Sequence, residues 1–245
     1  MKVGSLLESD QQKGGAHFLE HMSFSGTTHF PQDAWVDYFE RLGMKYGRDI
    51  NAFTGFDRTI YWLSLPVADF GTQVMDSTLL AVRDILDGVT FDPQSVEQER
   101  GVIKEELRCY NTGDDFYNLK IGVGRYILRM PLGTEQDIES IARNELLNYY
   151  HQWYLPKNAC LVIVGNVDAQ DIQKRILATF NQVAKGQPTP LGNYPLIYKK
   201  GITFHEVKDT VGTSSKLEFI IPHKGVVANT IASTALKEQY RLLMA

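Results

Sequence analysis

Two histidines four residues apart, with a glutamate directly before the second, limit the conformations open to the start of this chain. They are His17, Glu20 and His21 in the segment HFLEH. On an α-helix, residues i and i+4 share a face, so both imidazoles can reach one metal ion if this segment is helical. Glu20 projects near the same face, where a carboxylate can take a proton from a metal-activated water. The pattern is the inverted form of the H-E-x-x-H motif of zinc peptidases.

The same pattern would also arise on a surface helix that carries two solvated histidines. The neighbours Ala16, Phe18, Leu19 and Met22 are apolar, however, and favour a largely buried helix over about residues 16–24. Histidines on a buried helix need polar partners. A zinc ion would supply them.

A catalytic zinc site holds three protein ligands and a water, so a third ligand must come from elsewhere in the chain. A predicted helix at about 94–109 carries four glutamates in the segment EQERGVIKEEL. Glu99 and Glu106 are seven residues apart and therefore lie two turns apart on one face. Either of them could bind the metal while the other supports it. Glu97 and Glu105 point elsewhere and are interpreted as solvated.

Composition excludes several classes of protein. The chain has 245 residues, of which 43% are hydrophobic and 22% charged, with a net charge of -4. This is enough for one or two ordered domains and argues against disorder. The scattered Lys and Arg residues argue against nucleic-acid binding, and no apolar run approaches the roughly 20 residues that span a bilayer. Cys109 and Cys160 are too few for a disulfide framework or a four-cysteine zinc site.

The order of predicted elements indicates an α+β fold. A hairpin-like pair of strands near 45–54 and 59–67 favours an antiparallel sheet flanked by helices over a doubly wound parallel sheet. Further strands are predicted at 2–8 and, as a buried strand, at 159–167. Further helices are predicted at 70–87, at 135–154 in two pieces, and at 169–182, where Asp168 caps the N-terminus.

Three segments together carry a family resemblance: HFLEHMSFSGT, NAFTGFDRTIY and ERGVIKEEL. They resemble the insulinase or pitrilysin family of inverted zinc peptidases, which includes mitochondrial processing peptidase. The chain is most similar to the bacterial pitrilysin-like zinc proteases. The similarity runs from VGSLLE at the start to NYYHQWYLPKNACLVIVGNVD at 148–168, about two thirds of the chain.

The resemblance implies a role for each residue of the motif. His17, His21 and Glu106 match the zinc ligands of the family, with Zn²⁺ as the cofactor. Glu99 matches the glutamate that supports the ligands and belongs to the catalytic set. Glu20 matches the general base. The metallopeptidase fold of this family also leads us to expect five or six strands, with the two metal-binding helices side by side.

The resemblance also implies how a substrate is held. Asn51, Ala52, Phe53 and Thr54 match the edge strand on which the peptide lies. Backbone hydrogen bonds to such a strand bind an extended peptide with little regard for its sequence. From the residues alone, this segment would be interpreted as an ordinary strand end. The expected substrate is therefore a peptide or a small unfolded polypeptide.

The expected function is that of a zinc-dependent endopeptidase. Residues 1–185 are predicted to form its zinc-binding domain, without the first strands, followed by a linker at 186–201. Residues 202–245 would begin a second domain of similar fold. The alternative is an inactive or partner-dependent fragment that keeps the zinc site, its partner being a second peptidase half-domain or another copy in a homo-oligomer. The compartment would be periplasmic if a signal lies upstream and cytoplasmic otherwise.

Overall fold

The computed structural model of the chain describes most of residues 1–184 and a few positions up to 206. The residues outside this description are 33, 68–70, 72, 111–123, 185, 187–191, 193, 196, 198–200, 203, 205 and 207–245. The chain divides into two units, Met1–Ile197 and Tyr198–Ala245, and the helices and strands described below lie in the first. The predicted linker and second domain lie largely outside the described residues, so the predicted domain boundaries stay predictions.

The described elements are mostly helical. The helices are α1 (Gly15–Ser25), α2 (Ala34–Arg41), α3 (Gln73–Asp87), α4 (Pro93–Tyr110), α5 (Glu135–Ser140), α6 (Arg143–Trp153) and α7 (Ala169–Phe180), and the strands are β1 (Ile50–Thr54) and β2 (Thr59–Leu63). The helices confirm those predicted from the sequence to within a few residues at each end. Among the described helices, none is long and apolar enough to cross a membrane.

The strands β1 and β2 form an antiparallel hairpin, which confirms the α+β class. Ile50 lies opposite Leu63, and Thr54 lies opposite Thr59. Within the described residues this sheet has two strands, fewer than the five or six expected.

Helix α1 lies at the centre of the core, and all of its residues except His21 are buried. It packs against α4, α6 and β1. Phe18 belongs to one apolar cluster with Ile103 of α4, whereas Phe24 belongs to a second cluster with Ile50 of β1. Because α1 contributes to both clusters, the side chains on it are held in place from two sides.

The strand predicted at 2–8 is wrong. Ser5–Leu7 form a 3₁₀ turn, and the residues before it run along β2, where the Met1 amino group donates to the carbonyl of Thr59 over 2.8 Å. The chain turns after Gly4 because the next two amide groups donate to carbonyls of the β1–β2 loop. A Cβ on Gly4 would collide with the backbone of that loop, so the close approach requires glycine.

The buried strand predicted at 159–167 is also wrong. The segment has no regular secondary structure, and Val162 and Val164 are 73% and 91% exposed. An apolar run becomes a buried strand only when a neighbouring strand supplies hydrogen bonds and a second layer covers it. Within the described part of the chain no strand lies beside it. The Asp168 cap that follows is confirmed, since its side chain accepts the Asp171 N–H.

Glu8 is a fully buried acid at the start of α1. Its two carboxylate oxygens accept the backbone N–H groups of Gly14, over 3.1 Å, and Ala16, over 2.9 Å. These amides belong to the helix start, where N–H groups have no partner within the helix. Burial raises the pKa of Glu8 to about 8, although the two backbone hydrogen bonds act in the opposite direction.

We expect this pKa to make the free energy of unfolding fall as the pH rises. The unfolded chain loses the Glu8 proton near the ordinary value of 4.5, whereas the folded chain keeps it up to about pH 8. The folded state therefore binds more protons in this window, and stability is lost as the pH rises through it, by on the order of a few kcal/mol. Urea unfolding of metal-free protein between about pH 5 and 9 measures the loss.

The variant Glu8→Gln cannot ionise at this position, so we expect a flatter pH dependence. Glu40→Gln, at an exposed position of α2, is the control and should keep the wild-type slope. A Glu8→Gln variant with the full wild-type slope would contradict this origin of the pH dependence.

Candidate metal centre

Helix α1 presents its two motif histidines side by side. The ring centroids of His17 and His21 are 4.7 Å apart, and the ring planes are close to perpendicular at 76°. His17 is buried and His21 is partly exposed. This arrangement is the geometric consequence of the four-residue spacing on a helix.

Helix α4 brings a carboxylate to both imidazoles. Glu106 Oε2 lies 3.6 Å from His17 Nε2 and 3.3 Å from His21 Nε2. One ligand atom from each of the three residues lies within 4.8 Å of the other two. Bonds of about 2.0–2.2 Å in a tetrahedral zinc site hold the ligand atoms roughly 3.3–3.6 Å apart. Zinc in proteins takes imidazole nitrogens and carboxylate oxygens as ligands, and the two distances from Glu106 fit that ion.

Of the other glutamates of α4, one faces the histidines and two do not, as their positions on the helix predict. Glu99 Oε2 lies 3.0 Å from His21 Nδ1, on the side of the ring away from Glu106. Glu97 and Glu105 instead pair with arginines of their own helix, Arg100 and Arg108, at its exposed surface. Spacing on the helix left Glu99 and Glu106 as candidates for the third ligand. Glu106 approaches both histidines, whereas Glu99 approaches one.

The two histidines have opposite electrostatic environments. Burial, followed by the nearby charge of His21, lowers the pKa of His17 to about 4. His17 is therefore neutral at pH 7, which is the form that binds a metal. Burial also acts to lower the pKa of His21, but hydrogen bonds to Glu106 and Glu99 outweigh it and raise the pKa to about 9. Without a metal, a proton on His21 therefore offsets one of the two carboxylate charges.

The two α4 carboxylates that approach the histidines, those of Glu99 and Glu106, are held as anions. The hydrogen bond with His21 lowers the pKa of Glu106, against the effect of burial. Burial acts to raise the pKa of Glu99, but hydrogen bonds from His21 and Ser25 outweigh it and lower that pKa. An anionic carboxylate is the form that binds a divalent cation or supports a ligating imidazole.

The Glu20 side chain is buried where α1 packs against β1. The Thr54 hydroxyl donates a hydrogen bond to Glu20 Oε2. Burial raises the pKa of Glu20, and the hydrogen bond from Thr54 acts against that effect. A carboxylate with a raised pKa is a stronger base than an exposed one, which suits a group that takes and returns a proton.

The four residues of the predicted substrate strand form most of β1. Thr54 is buried beside Glu20, and Phe53 is exposed. The Asn51 side chain makes two hydrogen bonds to nearby backbone groups. Its Oδ1 accepts the Ala52 N–H over 2.8 Å, and its Nδ2 donates to the Gly47 carbonyl over 2.9 Å. Among the described strands β2 is the one that pairs with β1, and Ile50 also makes an isolated bridge to Tyr46. No described strand lies along the other edge of residues 51–54.

Sequence reasoning missed two residues of this site. Ser25 donates a hydrogen bond to Glu99 Oε1 over 2.8 Å, and its position one turn after His21 on the same face was a usable signal. Tyr46 packs edge-on against Phe24, with ring centroids 5.4 Å apart. Its pKa is raised to about 12 by burial and by the charges of Glu20, Glu99 and Glu106. No pattern in the sequence pointed to Tyr46.

The structure therefore brings together Glu20, Glu99 and the three candidate ligands, with Thr54 as the link to β1. His17 Nδ1 is buried and has no hydrogen-bond partner among the described residues. In this respect it differs from His21, whose Nδ1 is oriented by Glu99.

Two family models match the chain. The model described as Insulinase (Peptidase family M16) matches residues 1–118. The model described as Peptidase M16 inactive domain matches residues 140–238. The first match contains every candidate site residue named above.

Two of the similar relatives are named as probable zinc proteases. The chain is 33% identical over 242 residues to the probable zinc protease PqqL of Haemophilus influenzae, an alignment that covers 95% of this chain and 26% of the relative. It is 29% identical over 212 residues to the probable zinc protease PqqL of Escherichia coli, covering 84% of this chain and 23% of that protein. The chain thus spans about a quarter of the length of these relatives.

A solved structure has the same fold. The crystal structure of the periplasmic protease PqqL from Escherichia coli matches with a TM-score of 0.75 and 29% identity, over 80% of this chain and 22% of that one. The chain belongs to the insulinase family of peptidases.

Proposed function

We propose that this chain carries the zinc-dependent active site of an endopeptidase that hydrolyses peptides or small unfolded polypeptides. The observation that carries the proposal is the cluster of His17, His21 and Glu106, whose ligand atoms lie within 4.8 Å of one another beside the buried Glu20. The zinc protease names of the curated relatives support the same chemistry.

In the proposed reaction each residue has a separate task. His17, His21 and Glu106 would hold a zinc ion, which when bound would supply a Lewis acid that acidifies water and polarises the scissile carbonyl. Glu20 takes the proton from the attacking water and delivers it to the leaving amine nitrogen. Thr54 holds one oxygen of Glu20 through its hydrogen bond and so orients the other. Glu99 orients the His21 ring through Nδ1.

The substrate in this proposal lies along β1 as an added strand. The edge of β1 that β2 does not occupy offers backbone groups to an extended peptide. Thr54 connects this strand to Glu20, so a peptide bound at Asn51, Ala52, Phe53 and Thr54 would pass next to the proton acceptor. Backbone recognition favours unfolded chains, because folded proteins have few free strands to add.

The test is hydrolysis of an internally quenched peptide by the purified chain. We expect a zinc chelator, 1,10-phenanthroline, to abolish hydrolysis and one equivalent of zinc to restore it. The isomer 1,7-phenanthroline, which cannot chelate in the same way, is the matched control and should leave the rate unchanged. Hydrolysis that persists after the zinc has been removed would contradict the proposed mechanism.

A second candidate is a partner-dependent zinc-binding half. It is favoured by the description of the model that matches residues 140–238 as an inactive domain. In this case the zinc-loaded chain should hydrolyse the peptide only after a separately expressed peptidase half, or self-association, completes the site. Size-exclusion chromatography beside the same assay distinguishes these arrangements from an active single chain.

The compartment is proposed by similarity. The structural relative from Escherichia coli is described as a periplasmic protease, and we propose the periplasm for this protein as well. Fractionation of cells that express the native gene tests this proposal.

A further inference from the structure

Ser25 lies in the last turn of α1 and is 7% exposed. Its hydroxyl donates to Glu99 Oε1 over 2.8 Å and also lies 3.1 Å from the His21 carbonyl, four residues earlier in the helix. A serine that bonds only to the carbonyl four residues before it has a local role. Ser25 does more, because it also reaches a carboxylate on another helix.

Glu99 is held at both oxygens by the same helix. Oε1 accepts from Ser25, and Oε2 lies 3.0 Å from His21 Nδ1. His21 and Ser25 are one turn apart on α1, so they contact the two oxygens of the Glu99 carboxylate from adjacent positions. Two contacts restrict rotation of a carboxylate group, whereas a single contact at Oε2 leaves it free to turn about that bond.

We propose that Ser25 is a positioning residue of the metal centre, whose hydroxyl holds Glu99 so that Glu99 keeps the His21 ring turned with Nε2 toward Glu106. The inference rests on the proposed zinc site. Partners of ligating histidines typically change metal affinity by about 10- to 100-fold when removed. Ser25 acts one contact further out, so its removal should weaken zinc binding by about 3- to 10-fold.

The same helix provides a matched control. Ser23 is also buried, and its hydroxyl likewise donates to the carbonyl four residues earlier, that of Leu19, over 2.9 Å. Its other contact is the Tyr61 hydroxyl at 3.1 Å, not Glu99. Ser23→Ala therefore removes the same chemical group from the same helix and leaves the Glu99 contacts in place.

The experiment measures the zinc dissociation constant by competition with a chromophoric chelator for wild type, Ser25→Ala, Ser23→Ala, Glu99→Gln and the double variant Ser25→Ala/Glu99→Gln. We expect Ser25→Ala to weaken binding by about 3- to 10-fold and Ser23→Ala by less than about twofold. The double variant should bind zinc as Glu99→Gln does, because Ser25 acts through Glu99. Ser25→Thr, which keeps the hydroxyl, should restore most of the affinity.

Equal zinc affinities for Ser25→Ala and Ser23→Ala would overturn the inference and leave the zinc site intact. Effects of Ser25→Ala and Glu99→Gln that multiply in the double variant would also overturn it, since Ser25 would then act by another route. A wild-type chain that binds no zinc would overturn the proposed function as well, so the two failures are distinguishable. Unfolding of the metal-free variants separates a loss of affinity from a loss of fold.

Discussion

Glu20→Gln is expected to reduce peptide hydrolysis by about 10²- to 10⁴-fold, the usual contribution of a general base, while zinc stays bound. Glutamine has nearly the same shape as glutamate and can still accept the hydrogen bond that Thr54 donates. It cannot take a proton from water. The variant should therefore keep one zinc per chain in elemental analysis and lose turnover in the peptide assay, in whichever assembly the wild type is active.

Glu105→Gln is the control for this variant. Glu105 lies on the exposed side of α4, where it pairs with Arg108, and its replacement removes an equal charge without touching the site. Wild-type turnover by Glu20→Gln, with Glu105→Gln also unchanged, would show that another group takes the proton.

His17→Ala is expected to weaken zinc binding by about 10²- to 10³-fold. Structural zinc sites have binding free energies of roughly 10–16 kcal/mol shared among about four ligands, so one ligand accounts for about 2.5–4 kcal/mol. His17 Nε2 lies 3.6 Å from Glu106, and replacement of His17 by alanine removes this nitrogen from the three candidate ligands. Chelator competition measures the affinity, and the zinc-dependent rise in melting temperature should vanish at equal zinc concentration.

His151→Ala is the matched control, since His151 is exposed on α6. It should bind zinc as the wild type does. An unchanged zinc affinity in His17→Ala would mean that the ion is held elsewhere, and the proposed ligand set would be wrong.

The parts of the site that could be predicted from sequence are those that depend on spacing within one helix. His17 and His21 are four residues apart, so their shared face follows from helix geometry once α1 is helical. Glu99 and Glu106 share a face of α4 for the same reason. Which of these two glutamates approaches both histidines did not follow from spacing. The family resemblance indicated Glu106, and the distances agree with that assignment.

The wrong predictions concern strands. The segment 159–167 has the composition of a buried strand, yet its valines are exposed. Strand formation depends on partners that are distant in the sequence, and composition carries no information about whether they are present. The turn at Ser5–Leu7 likewise depends on hydrogen bonds to the β1–β2 loop, about fifty residues away.

The sequence alone determined the two helices that carry the candidate ligands, the residues that share a face on each, and the resemblance to the family. These features are local, or they are encoded in short motifs. Only the tertiary structure decided that Glu99 meets His21 across 78 residues of chain, that Thr54 holds Glu20, and that Ser25 and Tyr46 belong to the site. Such contacts depend on how α1, α4 and β1 pack against one another, and packing is set by the whole core rather than by the spacing within any one element.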